Sequence, residues 1–142
     1  MSYVEETKNK LLAIGGDVAN INSVGGDRIC ERIATDGVNY EKARKLALDE
    51  YGYGACHRNA IYHYYRCMPK LRVCTGYAMD KSTWYRHTWC VDYDGNIYEC
   101  TPAVRKHYYG LPLSEEETKE FMEHELYPFE IEELEKMFAV RL

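Results

Sequence analysis

The sequence predicts an α+β domain in which helices at both ends of the chain flank a small antiparallel sheet. Both ends carry apolar residues at helical spacing between capping residues and glycine or proline breaks. From about residue 71 to residue 101, apolar and polar residues alternate as they do in β-strands. No linker, repeat or low-complexity tract interrupts the 142 residues, of which 46% are hydrophobic. We therefore expect residues 1–142 to form a single domain.

Three helices are predicted before residue 55, and each starts at a capping residue and ends at a glycine. They run from Ser2 to Gly15, from Asp27 to Gly37 and from Asn39 to Gly52. The first fits a capping box, because Glu5 follows Ser2 by three positions. The third would carry Tyr40, Ala43 and Leu46 on one face, together with Ala47.

Cys56 opens the next predicted helix and is the most informative residue of the chain. It follows a turn with two glycines, residues 52–55, and shares a helical face with Ala60 and Tyr64. Pro69 ends this segment. A thiol in the first turn of a helix lies near unpaired backbone N–H groups and the positive end of the helix dipole, which favour the thiolate. Cys56 is therefore a candidate nucleophile.

Three strands are predicted after Pro69, and we expect them to pair antiparallel. They run from Leu71 to Tyr77, from Tyr85 to Tyr93 and from Asn96 to Thr101. Asp94 and Gly95, between the last two strands, are typical of a hairpin turn. His87 lies on the second of these strands, and Glu99 lies on the third.

The length of the hairpin loop decides whether His87 and Glu99 meet. A two-residue loop would place Trp89 opposite Cys100 and would turn His87 and Glu99 to opposite faces of the sheet. A three-residue loop with Gly95 in the left-handed conformation is equally allowed. It would pair Trp89 with Glu99 and bring His87 diagonally beside that carboxylate. The sequence leaves both loops open.

Two further helices are predicted in the C-terminal part of the chain. Ser114 and Glu117 form a second capping box, which starts a helix that runs to about Leu126. Pro128 starts the last helix, whose glutamates are expected to form a solvated face.

The composition argues against several classes of function. A net charge of −5 argues against a nucleic-acid partner. No apolar run approaches the ~20 residues of a membrane helix, and the first residues lack a signal peptide, so we expect a cytoplasmic protein. The six cysteines include no Cys-x-x-Cys pair, which argues against structural zinc, and most are expected to be small buried apolar residues. We expect neither a metal nor a cofactor.

In their order along the chain, these features resemble the transglutaminase-like (papain-like) cysteine enzymes. The resemblance covers roughly residues 50–102 and depends on four motifs: helix-opening Cys56, Gly76-Tyr77, His87-Thr88-Trp89 and Glu99-Cys100-Thr101-Pro102. It implies a papain-like core, with the catalytic helix packed on the sheet. It also implies that Cys56 is the nucleophile, that His87 is the base and that Glu99 stands where the family usually has aspartate.

The predicted chemistry is acyl transfer on an amide or isopeptide bond of a protein or peptide, by hydrolysis or transamidation. Cys56 would attack the carbonyl carbon, and His87 would protonate the departing amine. The backbone N–H of Cys56 and the hydroxyl of Tyr53 are candidate donors to the oxyanion. Trp89 and Tyr109 are candidates for the walls of an acyl-binding groove.

Two other interpretations fit the same residues. The chain could be a non-catalytic protein-binding module on the same fold, such as a phage or effector accessory. It could also hold a metal with Cys56, His87 and either Cys90 or Glu99, but strand alternation turns Cys90 away from His87. The remaining histidines are expected on the surface: His57, His63, His107 and His124. For His57 the reason is that a helix turns it about 100° away from Cys56.

Overall fold

The computed structural model describes residues 2–21, 26–41, 44–46, 55–101 and 104–139. Five helices lie within these residues. They are α1 (Tyr3–Ile14), α2 (Asp27–Asp36), α3 (Cys56–Arg66), α4 (Glu115–Glu125) and α5 (Pro128–Phe138). In the part of the chain described here, no helix is both long enough and apolar enough to cross a membrane.

Seven strands of the described residues form one sheet. They are β1 (Val18–Ala19), β2 (Val38–Tyr40), β3 (Arg44–Leu46), β4 (Leu71–Asp80), β5 (Thr83–Asp92), β6 (Ile97–Glu99) and β7 (His107–Pro112). Their order is β2-β7-β4-β5-β6-β3, and β1 pairs with β5 outside this path. The pairs β1–β5 and β3–β6 are parallel, and the other pairs are antiparallel. The fold is α+β, as predicted, but the sheet is larger than the three strands expected.

The first two predicted helices are confirmed. The side chain of Ser2 accepts the N–H of Glu5 at 3.3 Å, and α1 ends at Gly15. Helix α2 takes Asp27 as its first helical residue, so the N-cap is Gly26 and not Asp27 as predicted. Both helices end directly before the predicted glycines, Gly15 and Gly37.

The third predicted helix is wrong, because its segment contributes two strands to the sheet. Tyr40 ends β2, and Leu46 ends β3. Asn39, the predicted cap, lies opposite Tyr109 in the pairing of β2 with β7. The ladder of hydrogen bonds offered by neighbouring strands outweighs a helical spacing of only a few apolar residues. The other residues of that prediction lie outside the described residues: Ala43, Ala47 and Gly52.

The sequence does not predict β7, which pairs along β4. Two glycines allow the two strands to approach, because Gly76 lies directly opposite Gly110. A Cβ at Gly76 would lie 2.2 Å from the carbonyl oxygen of Tyr109 and 2.6 Å from the Cα of Gly110. Both distances are far shorter than an unstrained contact, so a residue larger than glycine would push β7 away from β4.

Gly76→Ala is expected to lower the free energy of unfolding by about 1–3 kcal/mol, because the added methyl group overpacks the contact between β4 and β7. Urea denaturation measures this difference. Gly15→Ala is the matched control, since a Cβ there meets its nearest neighbour, Met79, at 3.7 Å. Equal effects of the two substitutions would contradict the close approach at Gly76.

Apolar side chains are buried on both faces of the sheet. The larger cluster contains residues of all five described helices, together with Trp84 and Cys90 of β5. The second cluster contains Trp89 and Val91 of the same strand. Because successive residues of a strand point to opposite faces, the two clusters lie on opposite faces of β5. His87 has the parity of Trp89 and therefore lies on the face of the second cluster.

Candidate active site

Cys56 is the first residue of α3, and its side chain is half-buried. The N–H of Asn59 donates to the carbonyl of Ala55 at 2.8 Å, so helical hydrogen bonding starts beside the cysteine. Among the described residues, no side chain caps this end of the helix. The Sγ–H of Cys90 donates to the carbonyl of Ala60 at 3.2 Å and joins α3 to β5. The helix start is thus held against the strand that carries His87.

The hairpin between β5 and β6 has the three-residue loop. Val91 lies opposite Ile97, and the N–H of Asp92 donates to the carbonyl of Asn96 at 3.1 Å. Gly95 has a φ of 85°, the left-handed conformation that this loop requires. The carboxylate of Asp92 also accepts the N–H of Asn96 at 2.9 Å, which holds the loop closed. The structure selects one of the two registers that the sequence leaves open.

This register brings Glu99 to His87. The Nε2 atom of His87 lies 2.9 and 2.8 Å from the two carboxylate oxygens. Glu99 is fully buried, and His87 is 5% exposed. A carboxylate accepts hydrogen bonds and donates none, so Nε2 carries a hydrogen.

Cys56 and His87 lie close enough for each to shift the pKa of the other. Burial by itself raises the pKa of the Cys56 thiol, but hydrogen bonds with His57 and His87, and the positive charge of the His87 ring, lower it to about 5. Burial by itself lowers the pKa of His87, but hydrogen bonds with Cys56 and Glu99 raise it to about 9. Between these two values, the pair is held as thiolate and imidazolium.

Glu99 accepts three hydrogen bonds besides that of His87. They come from the hydroxyl of Tyr108 at 2.6 Å, from Nη1 of Arg105 at 3.3 Å and from the backbone N–H of Thr101 at 3.2 Å. These donors hold the carboxylate toward the imidazole, as supporting hydrogen bonds do in catalytic sites. The sequence does not reveal the roles of Tyr108 and Arg105, because it does not predict β7.

Trp89 is fully buried and supports the imidazole of His87. The two rings stack with centroids 6.0 Å apart and an angle of 23° between their planes. Tyr109 is buried too, and its hydroxyl donates to the carbonyl of Ile33 in α2 at 3.1 Å. Neither side chain lies on a wall of the cavity at Cys56. Tyr53, the candidate oxyanion donor, lies outside the described residues.

His57 was expected on the surface, and this prediction is wrong. Its side chain is 15% exposed, and its Nδ1 lies 3.9 Å from Cys56 Sγ and 2.6 Å from Thr88 Oγ1. Its Nε2 contacts Arg86 and lies 3.5 Å from the Glu125 carboxylate. The rotation of about 100° per residue turns His57 toward β5 instead of solvent, because α3 packs on that strand. Helical spacing alone does not reveal this direction.

The predictions for the other three histidines differ in outcome. His63 is buried, with its ring beside the Cys67 sulfur and 6.3 Å from the ring of Tyr98, so its surface assignment is wrong. His107 is partly buried on β7, so its surface assignment is confirmed only in part. His124 is exposed on α4, as predicted.

Two cavities open at the pair of Cys56 and His87. The larger, of about 380 Å³, has Cys56 and His57 on its wall and extends to the junction of α4 and α5. The smaller, of about 130 Å³, has His87 and Arg105 on its wall. Arg86 borders both. The sulfur and the imidazole are therefore reached from neighbouring openings.

The other cysteines do not share the environment of Cys56. All six lie within the described residues, and none of them forms a disulfide bond. As predicted, most of them are buried: Cys30, Cys74, Cys90 and Cys100. Burial raises the pKa of the thiols of Cys74 and Cys90. Cys56 is the thiol whose pKa is lowered by its surroundings.

Iodoacetamide is expected to modify Cys56 first, with a rate that rises through pH about 5 as the thiol loses its proton. Mass spectrometry of the digested protein locates the label and gives the rate at each pH. Cys67→Ala, which removes the other half-buried cysteine, should keep this profile, whereas Cys56→Ala should lose it. A midpoint near the ordinary thiol pKa of about 8.5 would contradict the ion pair.

No family model, curated protein or solved structure matches the chain. Within the described ranges, no group of at least three His, Cys, Asp or Glu side chains is arranged to bind a metal ion.

Proposed function

We propose that the protein is a cysteine enzyme that transfers acyl groups through Cys56, His87 and Glu99. The observation that carries this proposal is the imidazole of His87 held by the fully buried carboxylate of Glu99, near a thiol that opens a helix and whose pKa its surroundings lower. A thiolate is the reactive form of cysteine, and an imidazolium beside it can donate a proton to a leaving group. Strong pKa shifts of this kind are concentrated at functional sites.

In the proposed reaction, the Cys56 thiolate attacks the carbonyl carbon of an amide. The carbon–sulfur bond forms, and the π electrons of the carbonyl move to its oxygen. When the carbonyl re-forms, the carbon–nitrogen bond breaks, and His87 gives its proton to the departing amine. Water or a second amine then attacks the thioester, gives its proton to His87 and releases the Cys56 thiolate. Water completes a hydrolysis, and an amine completes a transamidation.

The substrate in this proposal is a protein or peptide, and the core is of the transglutaminase-like (papain-like) type. Three features support the likeness: the cysteine at the start of α3, the histidine on β5 and the carboxylate on the adjacent antiparallel β6. The larger cavity is open to solvent and borders the sulfur, which suits an extended substrate. The free cysteines are compatible with a reducing compartment, so we also propose a cytoplasmic location.

Trapping of an acyl-enzyme tests the proposal. p-Nitrophenyl acetate should acetylate Cys56 and release p-nitrophenolate in a burst, because an activated ester makes the acylation step fast. Mass spectrometry should locate the acetyl group on Cys56 in the native chain and in Cys67→Ala. A native chain that folds but forms no thioester would overturn the proposal and favour the non-catalytic binding module.

A further inference from the structure

A second imidazole lies at the thiol of Cys56, and the proposed triad does not use it. His57 Nδ1 lies 3.9 Å from the Cys56 sulfur. Both residues line the larger cavity, whereas His87 borders the smaller one. A substrate that enters the larger cavity and reaches the sulfur therefore also meets His57.

The neighbours of His57 determine which of its nitrogens carries the hydrogen. Arg86 hydrogen-bonds to Nε2, and a guanidinium can only donate, so Nε2 accepts. The neutral ring then carries its hydrogen on Nδ1, which lies 2.6 Å from Thr88 Oγ1 and 3.9 Å from the sulfur, so the two acceptors share this one hydrogen. The hydroxyl of Thr88 in turn lies 2.9 Å from that of Thr75 and can donate to it. Glu125 holds Arg86 in place through the same Nη2 atom.

We propose that His57 is a catalytic residue that donates from Nδ1–H to the negative charge at Cys56. The charge lies on the sulfur before attack and on the carbonyl oxygen of the substrate after it. This inference rests on the proposed acyl transfer and adds to it a side-chain donor for the oxyanion. His57 does not act as the base, because Arg86 occupies the lone pair of Nε2 and Nδ1 already carries a hydrogen.

The distance between His57 Nδ1 and the Cys56 sulfur suits a donor to the oxyanion. The oxyanion is bonded to the carbon that the sulfur has attacked, so it lies beside the sulfur and not on it. An effective donor lies about 2.7–3.1 Å from the oxyanion. A nitrogen 3.9 Å from the sulfur can lie within this range of an oxygen placed to one side of the line that joins the two atoms. No proton leaves His57 in this step, since the hydrogen bond shifts from the sulfur toward the oxygen while His87 supplies the proton of the leaving group.

Two reagents separate this role from a structural one. p-Nitrophenyl acetate forms an oxyanion when Cys56 attacks it, whereas iodoacetamide is displaced at a saturated carbon and forms none. Both rates depend on the same thiolate fraction, so their ratio cancels any change in the thiol pKa. His57→Leu should lower the ratio of acylation to alkylation by about 100-fold, the size of effect that loss of one oxyanion donor has in other enzymes.

A matched pair of substitutions isolates the N–H group. His57→Asn places an amide N–H near the position of Nδ1 and should keep the ratio within a few-fold of the native value. His57→Asp has nearly the same shape as His57→Asn but carries no N–H donor, so it should lower the ratio as His57→Leu does. The test therefore does not depend on the folding of the leucine variant. His124→Leu, on the exposed side of α4, serves as a control.

An unchanged ratio in both His57→Leu and His57→Asp would overturn the role of His57, even if both rates fall together. Failure of the proposed function looks different. In that case the native chain itself would not be acetylated at Cys56, and no ratio would exist to compare.

Discussion

Replacing His87 with alanine is expected to slow the alkylation of Cys56 at pH about 6 by up to about 300-fold. In the native chain, the thiol with a pKa of about 5 is mostly ionised at that pH. Without the imidazolium, the thiol pKa would rise. Its ordinary value of about 8.5, which leaves about 0.3% thiolate at pH about 6, sets the limit of the loss, because the hydrogen bond with His57 still lowers the pKa. The rate of incorporation of iodoacetamide, followed by mass spectrometry, measures the effect.

The loss in His87→Ala should shrink as the pH rises. At pH about 9 the variant regains most of its thiolate without help from an imidazole, so native chain and variant should react at similar rates. His124→Ala, on the exposed side of α4, is the control and should follow the native profile. A loss of the same size at both pH values would contradict the ion pair and point to a distorted site.

Replacing Glu99 with glutamine is expected to reduce the turnover of p-nitrophenyl acetate by about 10⁴-fold, as replacement of the buried carboxylate by an amide does in a serine-type triad. The carboxylate of Glu99 accepts from four donors, including His87 and Tyr108. An amide has one acceptor oxygen, and its NH₂ group would face a donor. His87 would lose both its orientation and the negative charge that keeps it protonated.

Two further measurements test the expected effect of Glu99→Gln. The alkylation profile of Cys56 should move to higher pH, and the free energy of unfolding should fall by about 1–3 kcal/mol, because a buried donor is left without an acceptor. Glu132→Gln, on the exposed face of α5, should change neither quantity. Native turnover in Glu99→Gln would mean that another group orients the imidazole.

Local signals in the sequence predicted much of the helical structure. Ser114 and Glu117 form the expected capping box at the start of α4. Pro128 is the first residue of α5, and Cys56 is the first residue of α3. Each signal involves residues within four positions of one another, so it acts before the rest of the chain is in place.

The pairing of β2, β3 and β7 could not be predicted in the same way. Tyr40 and Leu46 have helical spacing in the sequence but lie on strands of the sheet. Their backbone groups find partners in strands that lie far away along the chain. The contact of Gly76 with Gly110 depends on this pairing as well, and neither glycine reveals its partner.

The same distinction between local signals and long-range contacts applies to the candidate site. Cys56, His87 and Glu99 were identified from their types and order, and strand alternation limited the hairpin to two registers. The positions of Tyr108 and His57 could not be identified, because each depends on which element packs against another. Tyr108 reaches Glu99 through β7, and His57 reaches the thiol because α3 lies on β5.

By itself, the sequence determined a cysteine at the start of a helix and a histidine and a carboxylate on consecutive strands. These features follow from capping, breaking and alternation, which depend on neighbouring residues. Only the tertiary structure decided that the hairpin loop has three residues, that β7 brings Tyr108 to Glu99 and that His57 faces Cys56. Such contacts join residues that are distant in the chain or depend on which helix face is buried, and the packing of the whole sheet sets them.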